Sequence, residues 1–320
     1  MSAKFQSVGT FNSLHPTCTA MLEMPYPDPW TISLAEQRLM FQRHLRDISG
    51  PIPTIRSIET LGALGQGRQV PLTLYRPHLD GPLPLFCFIH GGGFVIGQHD
   101  QYHALCARIA RDAGCLVASI GYGLSPETRF PKGVEDCQIA YQWLQKEAQW
   151  LGIDAQRLAI GGDSAGGNLS AALGILATQG TIPAPKGLWL IYPIVDFLAQ
   201  TLSRNLFAQG YGLNHDHMQW YAQQYLSSGV DEAGHILASP GKMNARTAQA
   251  FPPSLIQTAG FDPLRDEARD MANLLNEHDR LLAYTCYEEM THGFIHAFDL
   301  LSQAQMAVDE GTLWLQRLFR

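Results

Sequence analysis

From residue 85 onward, short apolar runs alternate with amphipathic stretches, and this rhythm limits what the chain can fold into more than any other feature it carries. The run 85–90 is almost continuously apolar, as a strand buried on both faces must be. Tyr102, Leu105, Cys106, Ile109, Ala110 and Ala113 then recur at helical spacing, Gly114 closes that helix, and 115–122 is the next strand. Val134, Cys137, Tyr141 and Leu144 mark a second helix, followed by a strand at 157–161 and a small-residue helix over 164–178. Strands at 188–195, 255–261 and 283–288 and a helix over 303–320 complete the series. Such alternation predicts an α/β fold with a mostly parallel sheet and helices on both faces. In sheets of that kind, function gathers at the strands' C-terminal ends.

Ahead of this series, Ser33 precedes Glu36 in a capping-box pattern, and Leu34, Phe41, Leu45 and Ile48 follow at helical spacing up to Gly50-Pro51. Strands are expected near 58–61 and at 70–76. The alternation breaks over 196–252, where Asn214 reads as a helix cap for Met218, Tyr221, Ala222 and Tyr225. A single domain spanning 1–320 is expected, since α/β domains run past about 200–250 residues. Its lid is expected from 1–50 together with 197–230.

A net charge of −7 leaves no basic field for nucleic acid, and no apolar stretch approaches the roughly 18 residues of a membrane span. With no basic-then-apolar leader pattern at the start, a soluble, cytoplasmic protein is expected, without nucleic-acid or membrane partners. The six cysteines form no CxxC pair and mostly sit in apolar runs, so they read as buried free thiols. His99/His103 and His292/His296 have the spacing of metal ligands but lack the glutamate of HExxH. No metal and no cofactor is expected.

The strongest local signal is Gly162-Asp163-Ser164-Ala165-Gly166, a G-x-S-x-G between a predicted strand and a predicted helix. A serine on so sharp a turn needs small neighbours, and its hydroxyl projects at the helix N-terminus as a nucleophile. A phosphate-binding loop would need Lys-Ser/Thr after its second glycine, whereas Gly167 is followed by Asn168-Leu169. The second signal is His90-Gly91-Gly92-Gly93-Phe94 at the end of the buried strand. The N–H groups of Gly91, Gly92 and Gly93, with that of Ala165, are expected to face the oxyanion of a tetrahedral intermediate.

Chain order and placement after strands select Asp262 and His292 as the partners of Ser164. His292 serves as the base and Asp262 orients it. Asp266 reads as solvent-facing or as a support further out, and His296 as packing or helical surface. His90 and Asp163 read as supporting residues for the surrounding turns. Glu127, in Ser125-Pro126-Glu127, either braces the site from below or is a solvated loop charge.

These motifs resemble the bacterial hormone-sensitive-lipase-like esterases of the α/β-hydrolase superfamily, in the branch marked GDSAG. The resemblance rests on HGGGF from His90, LSPETRFP from Leu124, GDSAGGNLS from Gly162, DPLRDE from Asp262 and HGF from His292, in the family's order. Together with FVIG from Phe94, the pattern is most similar to cytoplasmic bacterial acetyl esterases. It implies an α/β-hydrolase fold with a small helical lid, and a serine carboxylester hydrolase acting on small-molecule esters of short acyl chains, acetyl to butyryl. A monomer or homodimer is expected. One departure is Gly123, where the family often has an arginine that braces the oxyanion loop. Two other readings stay open: a non-catalytic small-molecule receptor on the same fold, and an amidase or peptidase using the same triad. Phe207, Tyr211, Trp220, Tyr221 and Tyr225 either narrow an acyl pocket or are ordinary core, the default for aromatics at helical spacing.

Overall fold

A computed structural model of the protein describes residues 4–11, 13–24 and 27–320. Among them, nine strands form one sheet: β1 (Phe5–Val8), β2 (Ser57–Gly65), β3 (Arg68–Arg76), β4 (Leu83–Ile89), β5 (Leu116–Ile120), β6 (Ile153–Asp163), β7 (Leu188–Ile191), β8 (Ser254–Phe261) and β9 (Leu281–Thr291). The order across the sheet is β1-β9-β8-β7-β6-β4-β5-β3-β2. The β2–β3 and β3–β5 pairings are antiparallel and the others parallel. β2 and β3 meet through a two-residue turn with Gln66 at φ 50° and Gly67 at φ 72°, a left-handed pair that matches the twist of a hairpin.

The helices, in chain order, begin with α1 (Pro16–Leu22), α2 (Leu34–Ile48), α3 (His103–Ala113), α4 (Lys132–Lys146), α5 (Ala148–Leu151) and α6 (Ala165–Thr178). They continue with α7 (Leu202–Leu206), α8 (His215–Tyr225), α9 (Val230–Ala233), α10 (Ala245–Ala250), α11 (Arg265–Glu277) and α12 (Ser302–Leu318). β4 lies between β5 and β6 and is buried along its whole length, so its side chains feed two cores in alternation. Leu85, Cys87 and Ile89 pack with α4, α6 and α11 on one face, while Phe86 and Phe88 pack with α3, α12 and the end of α2 on the other. The six cysteines are free and buried, as the apolar runs around them predict. No helix among the described residues is long and apolar enough to cross a membrane.

Three departures from expectation have local causes. Residues 5–8, expected within a lid, form β1 and extend the sheet beside β9, in the register Phe5↔Tyr284 to Val8↔Tyr287. Four residues with both middle ones exposed carry no readable period. β7 stops at Ile191 rather than 195, because Tyr192 turns to φ 33° and donates its N–H to Gln257 O at 2.7 Å. Asn214 does occupy the position before α8, but its side chain accepts the Gly210 N–H instead of a helix N–H. The capping box of α2 forms in full between Ser33 and Glu36.

Candidate active site

β6 ends at Asp163 and α6 begins at Ala165, so Ser164 alone makes the turn, at φ 54° and ψ −117°. A non-glycine residue there is strained, and the small neighbours relieve what they can. A Cβ on Gly162 or on Gly166 would collide with the carbonyl oxygen of Ile89 at the end of β4. The elbow therefore requires both glycines because it is pressed against the neighbouring strand.

The loops after β8 and β9 deliver the other two residues expected from chain order. His292 Nε2 lies 2.8 Å from Ser164 Oγ, and its Nδ1 lies 2.8 Å from Asp262 Oδ2. Asp262 is fully buried, and its Oδ1 accepts the Leu264 N–H at 2.8 Å, which holds the carboxylate plane toward the imidazole. Tyr192 packs its ring 4.7 Å from that of His292. Burial, then the nearby Asp163 and Asp262 carboxylates, hold the Tyr192 hydroxyl well above its usual range and keep it protonated. A hydroxyl linked to an imidazole that is itself linked to a buried carboxylate can give up its proton as it attacks an electrophile.

One of the three glycine N–H groups expected at the oxyanion is already engaged. The Gly91 N–H donates to Asp163 Oδ1 at 2.8 Å, so it is not free to meet an oxyanion. The N–H groups of Gly92, Gly93 and Ala165 make no hydrogen bond to other described residues and remain available. Gly92 sits at φ 104°, outside the reach of ordinary side chains, while its carbonyl accepts the N–H groups of Val95 and Ile96.

His90 lies fully buried between the rings of Tyr122 and Tyr102, with centroids at 4.4 and 5.6 Å, and its Nδ1 meets Gly91 O at 2.8 Å. Burial pushes its pKa down to about 4, so it is neutral and donates to that carbonyl. It shapes the loop and carries no charge.

Glu127 is exposed, but it is tied down. Arg38 of α2 spans both its oxygens at 2.8 Å, and also donates to Val95 O at 3.0 Å and Ser125 O at 3.2 Å. Those hydrogen bonds hold the Glu127 carboxyl below its usual range. An arginine thus braces the loops beside the glycine run, reaching in from position 38 rather than 123. Gly123 instead donates its N–H to the buried Asp136, and a side chain there would press on Thr128.

Asp266 is buried, accepts the Ser203 N–H and pairs with Arg265, which corrects its solvent-facing reading. His296 is also buried, with Nε2 3.0 Å from Asp163 Oδ2. His99 and His103 turn their Nδ1 atoms to Thr73 and Tyr75. No group of three or more metal-type side chains occurs among the described residues.

Aromatic walls flank the site. Tyr225 is core, stacked on Phe94 at 3.8 Å, whereas half-buried Tyr221 lays its ring against Gly93. Beyond Asp262, Phe207, Tyr211 and Phe261 cluster with Phe11, and the Arg265 guanidinium lies 5.0 Å from the Phe11 ring centroid. Sequence patterning missed Arg38, His296 and Tyr192. The brace reading of Glu127 pointed toward Arg38 without naming it.

A family model described as alpha/beta hydrolase fold matches residues 86–296. The chain is 40% identical over 266 residues to a carboxylic ester hydrolase, LipN, of Mycobacterium tuberculosis, covering 80% of this chain and 70% of that one. It is 35% identical over 249 residues to an ethyl acetate hydrolase of Pseudomonas putida, covering 77% and 76%. Among solved structures, an ester hydrolase from the metagenome of Lake Arreo superposes with a TM-score of 0.90 at 32% identity, over 96% of this chain and 99% of that one. A thermostable esterase from Pseudomonas putida does so with 0.91 at 26% identity, over 98% and 99%.

Proposed function

The chain belongs to the α/β-hydrolase family, in its hormone-sensitive-lipase-like group, and is a carboxylesterase; from that premise we propose that it cleaves short-chain acyl esters, acetyl to butyryl, through an acyl-enzyme on Ser164. The observation that carries this reading is the unbroken series Ser164 Oγ, His292, Asp262, with 2.8 Å at each link. Ser164 Oγ attacks the ester carbonyl carbon while its proton passes to His292 Nε2, and Asp262 stabilises the imidazolium through Nδ1–H. The carbonyl oxygen takes the electron pair and meets the N–H groups of Gly92, Gly93 and Ala165. Collapse of the intermediate breaks the bond to the alcohol, which leaves with the proton from Nε2. Water then repeats the sequence on the acyl-enzyme, releasing the acid and restoring Ser164.

The lid in this reading is drawn from 1–50 and 197–230, apart from β1. Its support is the contact between the two segments: His217 Nε2 lies 3.0 Å from Asp28 Oδ1, and Phe11 packs edge-on to Phe207 at 6.3 Å. Six free, buried cysteines suit a reducing compartment and support a cytoplasmic place for the enzyme; the same reading has it act on small-molecule esters as a monomer or homodimer. A series of p-nitrophenyl esters from acetate to laurate tests the whole reading. Turnover is expected to peak at acetate to butyrate and to fall at least about 10⁴-fold in Ser164→Ala. An optimum at long chains rejects the substrate class, and wild-type turnover in Ser164→Ala rejects the nucleophile.

A further inference from the structure

Two histidines from one loop reach two carboxylates, one after β8 and one at the end of β6. His292 faces Asp262 and Ser164, while His296, in the turn Phe294–Ala297, faces Asp163, the residue just before Ser164. Asp163 is buried and uses both oxygens: Oδ1 accepts the Gly91 N–H at 2.8 Å, and Oδ2 meets His296 Nε2 at 3.0 Å. An ionised carboxylate only accepts, so His296 donates. We propose that His296 is a positioning residue for the oxyanion loop, acting through Asp163 to fix Gly91 and, with it, the N–H groups of Gly92 and Gly93. The proposal rests on the esterase reading of Ser164.

Asp163 is a buried carboxylate with few partners. Deprived of His296, the buried Asp163 carboxylate keeps the Gly91 N–H as its one hydrogen-bond donor among the described residues, and nothing then fixes its second oxygen. A carboxylate held at one oxygen is free to turn, so that its oxygens exchange places and the bond to Gly91 loses its fixed direction. Gly91 opens the glycine run, so slack there passes directly to the next two peptide groups. His296 is well suited to hold the carboxylate still. It is itself buried, and the Tyr102 ring meets it edge-on, with centroids 5.1 Å apart at 71°. A misplacement near 1 Å of groups facing a developing charge costs roughly 100-fold in rate.

The test compares His296→Leu and His296→Gln with the wild-type enzyme, using p-nitrophenyl acetate and, as a probe for the oxyanion site, phenylboronic acid, whose anionic tetrahedral adduct on Ser164 places a boronate hydroxyl there. His296→Leu is expected to lower kcat about 10- to 100-fold with KM within about twofold. The boronate inhibition constant should rise by the same factor as kcat falls. The Gln variant, which keeps an N–H donor, should recover most of both. Asp163→Asn combined with His296→Leu should lose no more than the worse single variant, because the two act as a unit. Unchanged kcat and boronate affinity in folded His296→Leu overturns the proposal, as does additivity in the double variant. Should His296→Leu fail to fold, His296→Phe against His296→Gln decides instead: Gln should be at least about tenfold faster, and equal rates overturn the proposal. Ser164→Ala, run alongside, separates the two ideas. If it is inactive while His296→Leu is fully active, only the positioning role fails; if it is active, the reading beneath fails.

Discussion

Ser164 holds a backbone conformation that ordinary side chains avoid, and the cost is tolerable only because its neighbours at 162 and 166 have no Cβ to strike β4. Gly166→Ala must therefore push Ile89 and the elbow apart. Overpacking of this kind costs about 1–3 kcal/mol or more, so a lower melting temperature is expected, with esterase turnover falling further than stability alone explains. A variant with unchanged melting temperature and turnover contradicts the packed elbow. His90 is the second residue whose surroundings fix its state. Burial lowers its pKa to about 4 in the fold, against about 6.5 in an unfolded chain. Between those values the unfolded chain binds the extra proton, so the stability His90 contributes is fully present above pH 6.5 and is lost as pH falls toward 4. The loss is on the order of 3 kcal/mol across the window. Urea unfolding at pH 7 and pH 4.5 should show a smaller drop for His90→Asn than for the wild-type protein, and equal drops refute the assignment.

At the scale of elements, α2 does more than cover an apolar face. Its Arg38 joins the helix to two loops at once, meeting Val95 O just after the glycine run, Ser125 O and Glu127. A planar guanidinium with five donors suits three such acceptors, and a lysine does not. Arg38→Lys is expected to keep the charge yet lower kcat about 3- to 30-fold, with the fold intact by circular dichroism. Glu127→Gln should be milder, because its carboxylate is largely exposed and the two backbone carbonyls keep their partner. If Glu127→Gln proves the more damaging, Arg38 acts through the ion pair and not through the loops.

Over the whole molecule, the insertion between β7 and β8 and the segment before β2 meet above the C-terminal end of the sheet, where Tyr221 reaches Gly93. In the short-chain reading proposed above, the ring resting on the glycine run is the wall that limits the acyl chain. Tyr221→Ala is expected to move the optimum of the p-nitrophenyl ester series toward longer chains by about two to four carbons, since each buried methylene is worth about 0.8 kcal/mol. An unmoved optimum places the selecting wall elsewhere, with the Phe207, Tyr211 and Phe261 cluster the next to vary.

What the sequence determined by itself is local in origin. Alternating runs set the strands and helices, glycines at 162 and 166 flag the elbow, and the order Ser164, Asp262, His292 follows from loops placed after strands. Each depends on the sterics and periodicity of neighbouring residues, which linear sequence records. Tertiary structure decided which groups are free to act. The Gly91 N–H is claimed by an aspartate 72 positions away, His296 finds Asp163 across 133, and Arg38 finds Glu127 across 89. β1 reaches its place only by pairing with β9 from the far end of the chain. Pairings of single polar groups at such separations leave no period or composition behind, because they form only once the sheet has set where each loop ends.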